Sequence, residues 1–284
     1  MTSRALSLLT ATPRRQAGFL ACAAGVVLVA FFLAPNALAR SSIDTGNVGD
    51  AFREGFVSHW ASGGRDLPAR LDAAVAFWFR FHLVKAGVSA LLLAVAVALA
   101  VVLGRRYRQL SGGRNRGRTG RVPGALALPR ALVLAGVLAL FALVALVANL
   151  QGAVAPFSSL LPFLTSGGGH GELGATLDEV RQQLAALPAG ERSPALAFMV
   201  GDFAAYHAVL AVMAALVAVA SAGAAAVLFR RLRASRDVRS RRARTCGAAA
   251  TAVLAAAALV IAVANTTSAA DSPRALALFF AGDW

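Results

Sequence analysis

Residues 81–108 read FHLVKAGVSALLLAVAVALAVVLGRRYR, and residues 206–233 read YHAVLAVMAALVAVASAGAAAVLFRRLR. A shift of 125 positions, without a gap, lays Phe81-His82 on Tyr206-His207 and Arg105, Arg106 and Arg108 on Arg230, Arg231 and Arg233. At about 1.5 Å per residue, the apolar part from His82 to Gly104 reaches roughly 35 Å, more than the roughly 30 Å of a bilayer's hydrocarbon core. Each stretch therefore predicts a membrane span with an aromatic-histidine entrance and an arginine exit.

The rest of the chain extends this pattern. Hydrophobic residues make up 58% and charged ones 14%, gathered into long apolar runs, which excludes a soluble globular domain as the main body. The expected fold is all-α: a polytopic membrane bundle with five spans near 17–34, 82–104, 130–149, 203–229 and 246–264. Two readings of the first stay open. Ala37-x-Ala39 after a basic start and an apolar run fits a cleavable signal peptide, while the length of the run favours an uncleaved signal-anchor.

Two hydrophilic connections separate the spans. In residues 40–81, Phe52, Phe56 and Trp60 recur every four positions and fall on one face of a helix, either flat on the membrane interface or packed on the tops of the spans. Gly63-Gly64 is expected to end that helix, and Phe77, Trp78, Phe79 and Phe81 to form an aromatic belt. In residues 150–203, Phe157 to Leu164 is an apolar patch broken by Pro162, and a glycine-rich linker covers 167–171. Thr176 with Glu179 reads as a capping box opening a helix striped with Leu177, Leu184 and Leu187.

Outer amphipathic helix, break, span, arginine loop and span thus occur twice in one orientation, and Val147-Ala148-Asn149 recurs as Val263-Ala264-Asn265. The expectation is a tandem parallel duplication. Its segments are a signal-anchor or signal peptide at 1–39, repeat 1 at 40–150, repeat 2 at 151–265 and a tail at 266–284.

Charge placement orients the chain. The N-terminal stretch and the two arginine loops hold nineteen arginines and one acid, Asp237; the remainder holds nine basic residues and twelve acids. By the positive-inside rule the N-terminus and both loops are cytoplasmic, and the connections and C-terminus extracytoplasmic. Richness in arginine, alanine and glycine, with Lys85 the only lysine, matches a GC-rich bacterial genome, so the expected location is the cell membrane of such a bacterium. The net charge of +15 is therefore assigned to topology and to anionic lipid headgroups rather than to nucleic acid.

Few residues carry chemistry. His82 and His207 continue ridges at every fourth position, Ala86, Ala90, Ala94, Ala98 and Ala211, Ala215, Val219, Gly223, which predicts two histidines facing the bundle interior. Such a pair can cap a helix contact, hold haem or a metal, or relay protons. Lys85, one turn inside a span, is expected to snorkel to the nearby interface. Asn149 and Asn265 are expected to terminate helices. No acid in a span core, paired carboxylate or catalytic triad is visible, and no metal site or cofactor is assigned, so an enzyme is not expected.

The leading expectation is a non-enzymatic scaffold or accessory subunit that meets an envelope protein partner through Phe52, Phe56, Trp60, Leu177, Leu184 and Leu187. A small transporter or channel component made from the two hairpins is the alternative, with water access expected at Ser89 and Ser221. A haem-binding redox protein using His82 and His207 is third.

Overall fold

The computed structural model describes residues 12–114, 127–166, 171–187, 192–234 and 238–282. Regular structure among them is entirely helical: α1 Pro13–Ala39, α2 Val48–Ser62, α3 Ala69–Arg114, α4 Ala127–Val154, α5 Pro156–Leu160, α6 Pro162–Thr165, α7 Gly171–Ala185, α8 Pro194–Arg233, α9 Val238–Ala270 and α10 Ser272–Ala281. Five stretches are long and apolar enough to cross a membrane: Pro13–Ala39, Ala69–Leu110, Ala127–Val154, Pro194–Arg233 and Arg244–Ala270, with mean hydropathy between 2.3 and 2.9. Large apolar side chains such as Val26, Phe32, Val133, Val219 and Val260 point outward along them, as lipid-facing residues do.

All five expected spans lie inside these helices, but α3 and α8 begin well before the hydrophobic runs. The cause is local. Proline at the first position and the Ser193 hydroxyl, which accepts from Leu196 N–H at 3.3 Å, start α8 at Pro194. The Asp72 N–H bonds the Pro68 carbonyl at 2.9 Å at the start of α3. Gly63 ends α2 as expected, in a left-handed conformation (φ 62°) that glycine adopts without strain. Pro162 separates α5 from α6.

Two local expectations are corrected. Thr176 opens no capping box: α7 starts at Gly171, so Thr176 sits inside the helix and its hydroxyl donates back to the Glu172 carbonyl at 2.8 Å. Asn149 and Asn265 terminate nothing, since α4 continues to Val154 and α9 to Ala270. Each amide donates to a carbonyl one turn back, Asn149 to Ala145 at 2.6 Å and Asn265 to Ile261 at 2.9 Å, which is compatible with a continuing helix.

The chain forms two compact units, one of residues 1–40 and 80–149, the other of 41–79 and 150–284. In the first, small residues bring helices close: Ala17 of α1 packs with Leu99, Leu103 and Ala135, and Ala24 with Leu92 and Ala142. Phe31 adds an edge-on contact to Phe141, with centroids 5.6 Å apart.

In the second, α8 and α9 form the membrane hairpin, and α2, α5, α6, α7 and α10 pack with the start of α3 and α8 around an aromatic core. Phe157 lies 5.4 Å from Phe52 and 5.2 Å from Phe198, and Phe56 stacks on Trp60 at 6.1 Å. The stripe expected to meet a partner is therefore turned inward. Phe52, Phe56, Trp60, Leu177 and Leu184 are buried and Leu187 is half-buried, because a protein-filled side competes for apolar surface as well as a membrane does.

The expected small-residue ridges are corrected as well. Ala90, Ala94, Ala215, Val219 and Gly223 face outward. The buried seams are Ala86, Ser89, Leu92, Ala96, Leu99 and Leu103 on α3, and His207, Ala211, Ala214, Ala218 and Ser221 on α8. Four residues turn a helix by about 400°, so a strict fourth-position ridge drifts off the contact face, whereas alternating steps of three and four remain on it. Ser89 and Ser221, the positions expected to be wet in a channel, both lie in these buried seams.

Candidate functional site

The most specific side-chain chemistry lies in the shorter, amphipathic helices. On α2, Asp50 and Arg53 are one turn apart, and the Asp50 carboxylate accepts from Arg53 Nη1 at 2.9 Å. That pairing aims the guanidinium at the end of α6, where Nε donates to the Phe163 carbonyl and Nη2 to the Ser166 carbonyl, both at 2.8 Å. On α7 the arrangement recurs. Arg181 Nη1 donates to Asp178 at 2.7 Å and its Nε to the Phe280 carbonyl, at the end of α10, at 3.0 Å.

The physical cause is shared. The last carbonyls of a short helix have no partner inside it, and a guanidinium held by a carboxylate offers a rigid fork of donors to them. Phe163 lies in α6, after α4 and α5, and Phe280 in α10, directly after α9, so each amphipathic helix is clamped to a short helix downstream of a long apolar one. Sequence reading missed these clamps, although Asp-x-x-Arg at 50–53 and 178–181 was a visible signal.

Further polar contacts complete the layer. Trp60 Nε1 donates to Glu179 at 3.1 Å, linking α2 to α7, and Arg70 pairs with Glu54 at 2.7 Å. Trp78, expected in an interfacial belt, donates to the Ser159 hydroxyl at 2.7 Å, and Phe77 is buried while Phe79 is exposed. The Asp202 carboxylate on α8 accepts from Ser158 N–H at 2.7 Å and so satisfies an N-terminal donor of α5 from another element. Asp178 and Arg181 also edge an open groove of about 400 Å³ between α6, α7 and α10, floored by Leu164, Leu177 and Phe280.

His59 is a buried residue that sequence reading passed over, though it lies on the Phe52-Phe56 face one turn beyond Phe56. Its Nδ1 is 3.3 Å from the Asp66 carbonyl, its ring meets Phe198 edge-on, and its Nε2 is buried without a hydrogen-bond partner among the described residues. Burial lowers its pKa, outweighing the opposing effect of the Asp66 carbonyl, so the neutral imidazole is favoured.

His207 faces the interior as expected, with 5% of its surface exposed. Its Nδ1 stands 2.8 Å from Asn265 Oδ1 on α9, and its ring packs on Phe203 at 4.6 Å. Since the Asn265 amide nitrogen donates to Ile261, its oxygen faces the imidazole and Nδ1 is the protonated nitrogen. His82 belongs to the other compact unit, half-buried, with Phe81 edge-on at 5.6 Å. Among the described residues no three His, Cys, Asp or Glu side chains converge to hold a metal ion. The Lys85 ammonium rests on two aromatic faces, 4.7 Å from the Phe31 centroid and 5.2 Å from that of Phe81.

No protein-family model, curated protein or solved structure matches this chain.

Proposed function

We propose that this protein is a non-enzymatic scaffold or accessory subunit of a bacterial cell membrane, built from two tandem copies of a helical hairpin and presenting its outer helices to an envelope protein. The observation that carries the reading is the pair of guanidinium clamps. Arg53 and Arg181 fix α2 and α7, each with an i,i+3 carboxylate, onto a phenylalanine carbonyl that follows a hairpin. Positions paired by the 125-residue shift support duplication: Ala86 and Ala211, Ser89 and Ala214, and Ala96 and Ser221 all lie in buried seams. A clamped layer with a filled core suits a platform better than a moving gate.

In this reading the partner meets the solvent-facing side of the layer, exposed at Asp50, Glu54 and Ser58 on α2 and at Glu172, Asp178 and Gln182 on α7. The positive-inside distribution puts that layer outside the cell and the arginine loops in the cytoplasm. The first helix is a retained signal-anchor, because α1 supplies Ala17, Ala24 and Phe31 to helix packing and Ala39 is buried within it.

The test is purification of the tagged protein from its own host in mild detergent, with co-purifying proteins read by mass spectrometry. A stoichiometric partner, lost from a Glu54→Lys/Gln182→Lys variant of unchanged helicity, is the expected result. A clean, self-associated protein would sink the proposal.

A further inference from the structure

The helices α8 and α9 meet at an end where basic side chains collect without an ion pair to any acid among the described residues. Arg230, Arg231 and Arg233 occupy the last turn of α8, and Arg241, Arg242 and Arg244 the first turns of α9. The ion pairs among the described residues are Arg53–Asp50, Arg70–Glu54 and Arg181–Asp178, so none of these six is paired with a described acid. Asp237, the one acid of this loop, lies outside the described residues.

Helix stability accounts for half of the cluster. Arginines in the last turn of α8 offset the partial negative charge at a helix C-terminus, but those in the first turns of α9 sit where the partial charge is positive and cations are disfavoured. The geometry also draws the charges together. Arg244 Nη1 donates to the Arg231 backbone carbonyl at 2.6 Å, which pins a half-buried guanidinium of α9 against the end of α8. Arg233 is folded over the exposed ring of Phe229, its guanidinium carbon 4.6 Å from the centroid. Like charges held together this way are relieved by a bound anion, and a guanidinium fork matches the oxygens of a phosphate in pairs.

The level of the cluster identifies the source of that anion. The apolar stretches end here, at Arg233 on α8 and Arg244 on α9, and outward-facing Val227, Phe229 and Val253 flank it along the helices. A phosphate at the boundary between an arginine cluster and a lipid-facing apolar surface is a lipid headgroup. We propose that the α8–α9 arginine cluster is a binding site for the phosphate of an anionic phospholipid, with Arg244 held by Arg231 as its fixed member.

Full-length protein in detergent, titrated with short-chain phosphatidylglycerol and read by native mass spectrometry, tests the site. Saturable binding is expected, at least tenfold weaker in R241Q/R242Q/R244Q and unchanged in R105Q/R106Q/R108Q, at an arginine end that belongs to the other compact unit. Circular dichroism checks the helicity of each variant. Should the triple variant fail to fold, R244K serves instead: it keeps the charge but removes the fork, and weaker binding is again expected. Equal binding of phosphatidylcholine, or undiminished binding by R241Q/R242Q/R244Q or R244K, would overturn the proposal. Glycerol phosphate binding as tightly as the lipid would also overturn it, by making the site one for soluble phosphate.

Discussion

The His207 Nδ1 and Asn265 Oδ1 atoms stand 2.8 Å apart and tie α8 to α9 by a polar contact inside a largely apolar stretch of the hairpin. A polar bond between membrane helices contributes on the order of 0.5–2 kcal/mol, a modest amount because separated helices also find other partners. Asn265→Leu removes the acceptor and should destabilise the hairpin by that amount, read as a lower midpoint of unfolding in detergent. His207→Leu/Asn265→Leu together should cost less than the sum of the two single changes, because one contact is being removed twice. Strict additivity would show that the contact carries no energy.

The two arginine clamps should differ in strength. Arg53 donates to two carbonyls and one carboxylate, whereas Arg181 has one described carbonyl, one carboxylate and a more exposed side chain. Solvent screening reduces the value of each contact, so Arg53→Gln is expected to cost about 1–2 kcal/mol and Arg181→Gln less. Limited proteolysis between α2 and α3 and in the 186–193 segment should then report loosening, strongly for the first variant and weakly for the second.

Gly55 allows α2 and α3 to touch. A Cβ there would lie 2.8 Å from Leu71 Cβ and 2.9 Å from its Cα and N, a collision with backbone that no rotamer change relieves. Gly55→Ala is expected to cost at least about 1–3 kcal/mol and to unseat α2. Gly49→Ala, which meets only the Phe163 ring at 3.0 Å, should be milder. Tryptophan fluorescence of Trp60 during urea unfolding would rank the two.

The buried His59 is expected to make the helices packed around it acid-sensitive. Burial lowers its folded-state pKa below the ordinary 6.5, so the unfolded chain takes up the proton first. The stabilising contribution of neutral His59 is therefore complete above about pH 6.5, falls as pH drops toward the folded-state pKa, and levels off below it, at about 1.4 kcal/mol per pKa unit of displacement. His59→Gln should flatten that part of the pH–stability curve. An unchanged slope between pH 6.5 and 5 would rule out His59 as its origin.

A retained α1 makes a simple prediction for mass. Ala39, the last residue of the alternative cleavage site, is 1% exposed and helical, whereas a peptidase needs an extended and accessible chain. Intact mass spectrometry of the membrane-purified protein should include α1. A mature protein beginning at Arg40 would remove the helix that bears Ala17, Ala24 and Phe31.

The five long apolar helices were legible because hydropathy over a helical length is a property of composition, and composition survives any error in side-chain placement. The seams were less so. A fourth-position pattern such as Ala86, Ala90, Ala94, Ala98 looks like a face on paper, but rotation carries Ala90 and Ala94 outward while Ser89, Leu92 and Ala96 take their place. The Phe52-Phe56-Trp60 stripe had the same ambiguity in another form. Periodicity says which residues share a side of a helix but not what covers that side, and here Phe157 and Phe198 of distant segments do. His59 was overlooked because one histidine in a polar connection carries no pattern of its own.

The Asp202 carboxylate that satisfies the Ser158 N–H comes from a residue translated later, and Arg53 and Arg181 reach carbonyls 110 and 99 positions downstream. The outer layer therefore cannot close while the chain is still emerging. The α2 helix must wait for α6, α5 for α8, and α7 for α10, and the last of these follows every long helix. Biogenesis thus leaves an interval in which aromatic surface is bare, and a chaperone or protease would distinguish a stalled chain from a finished one by whether those late-arriving partners have come.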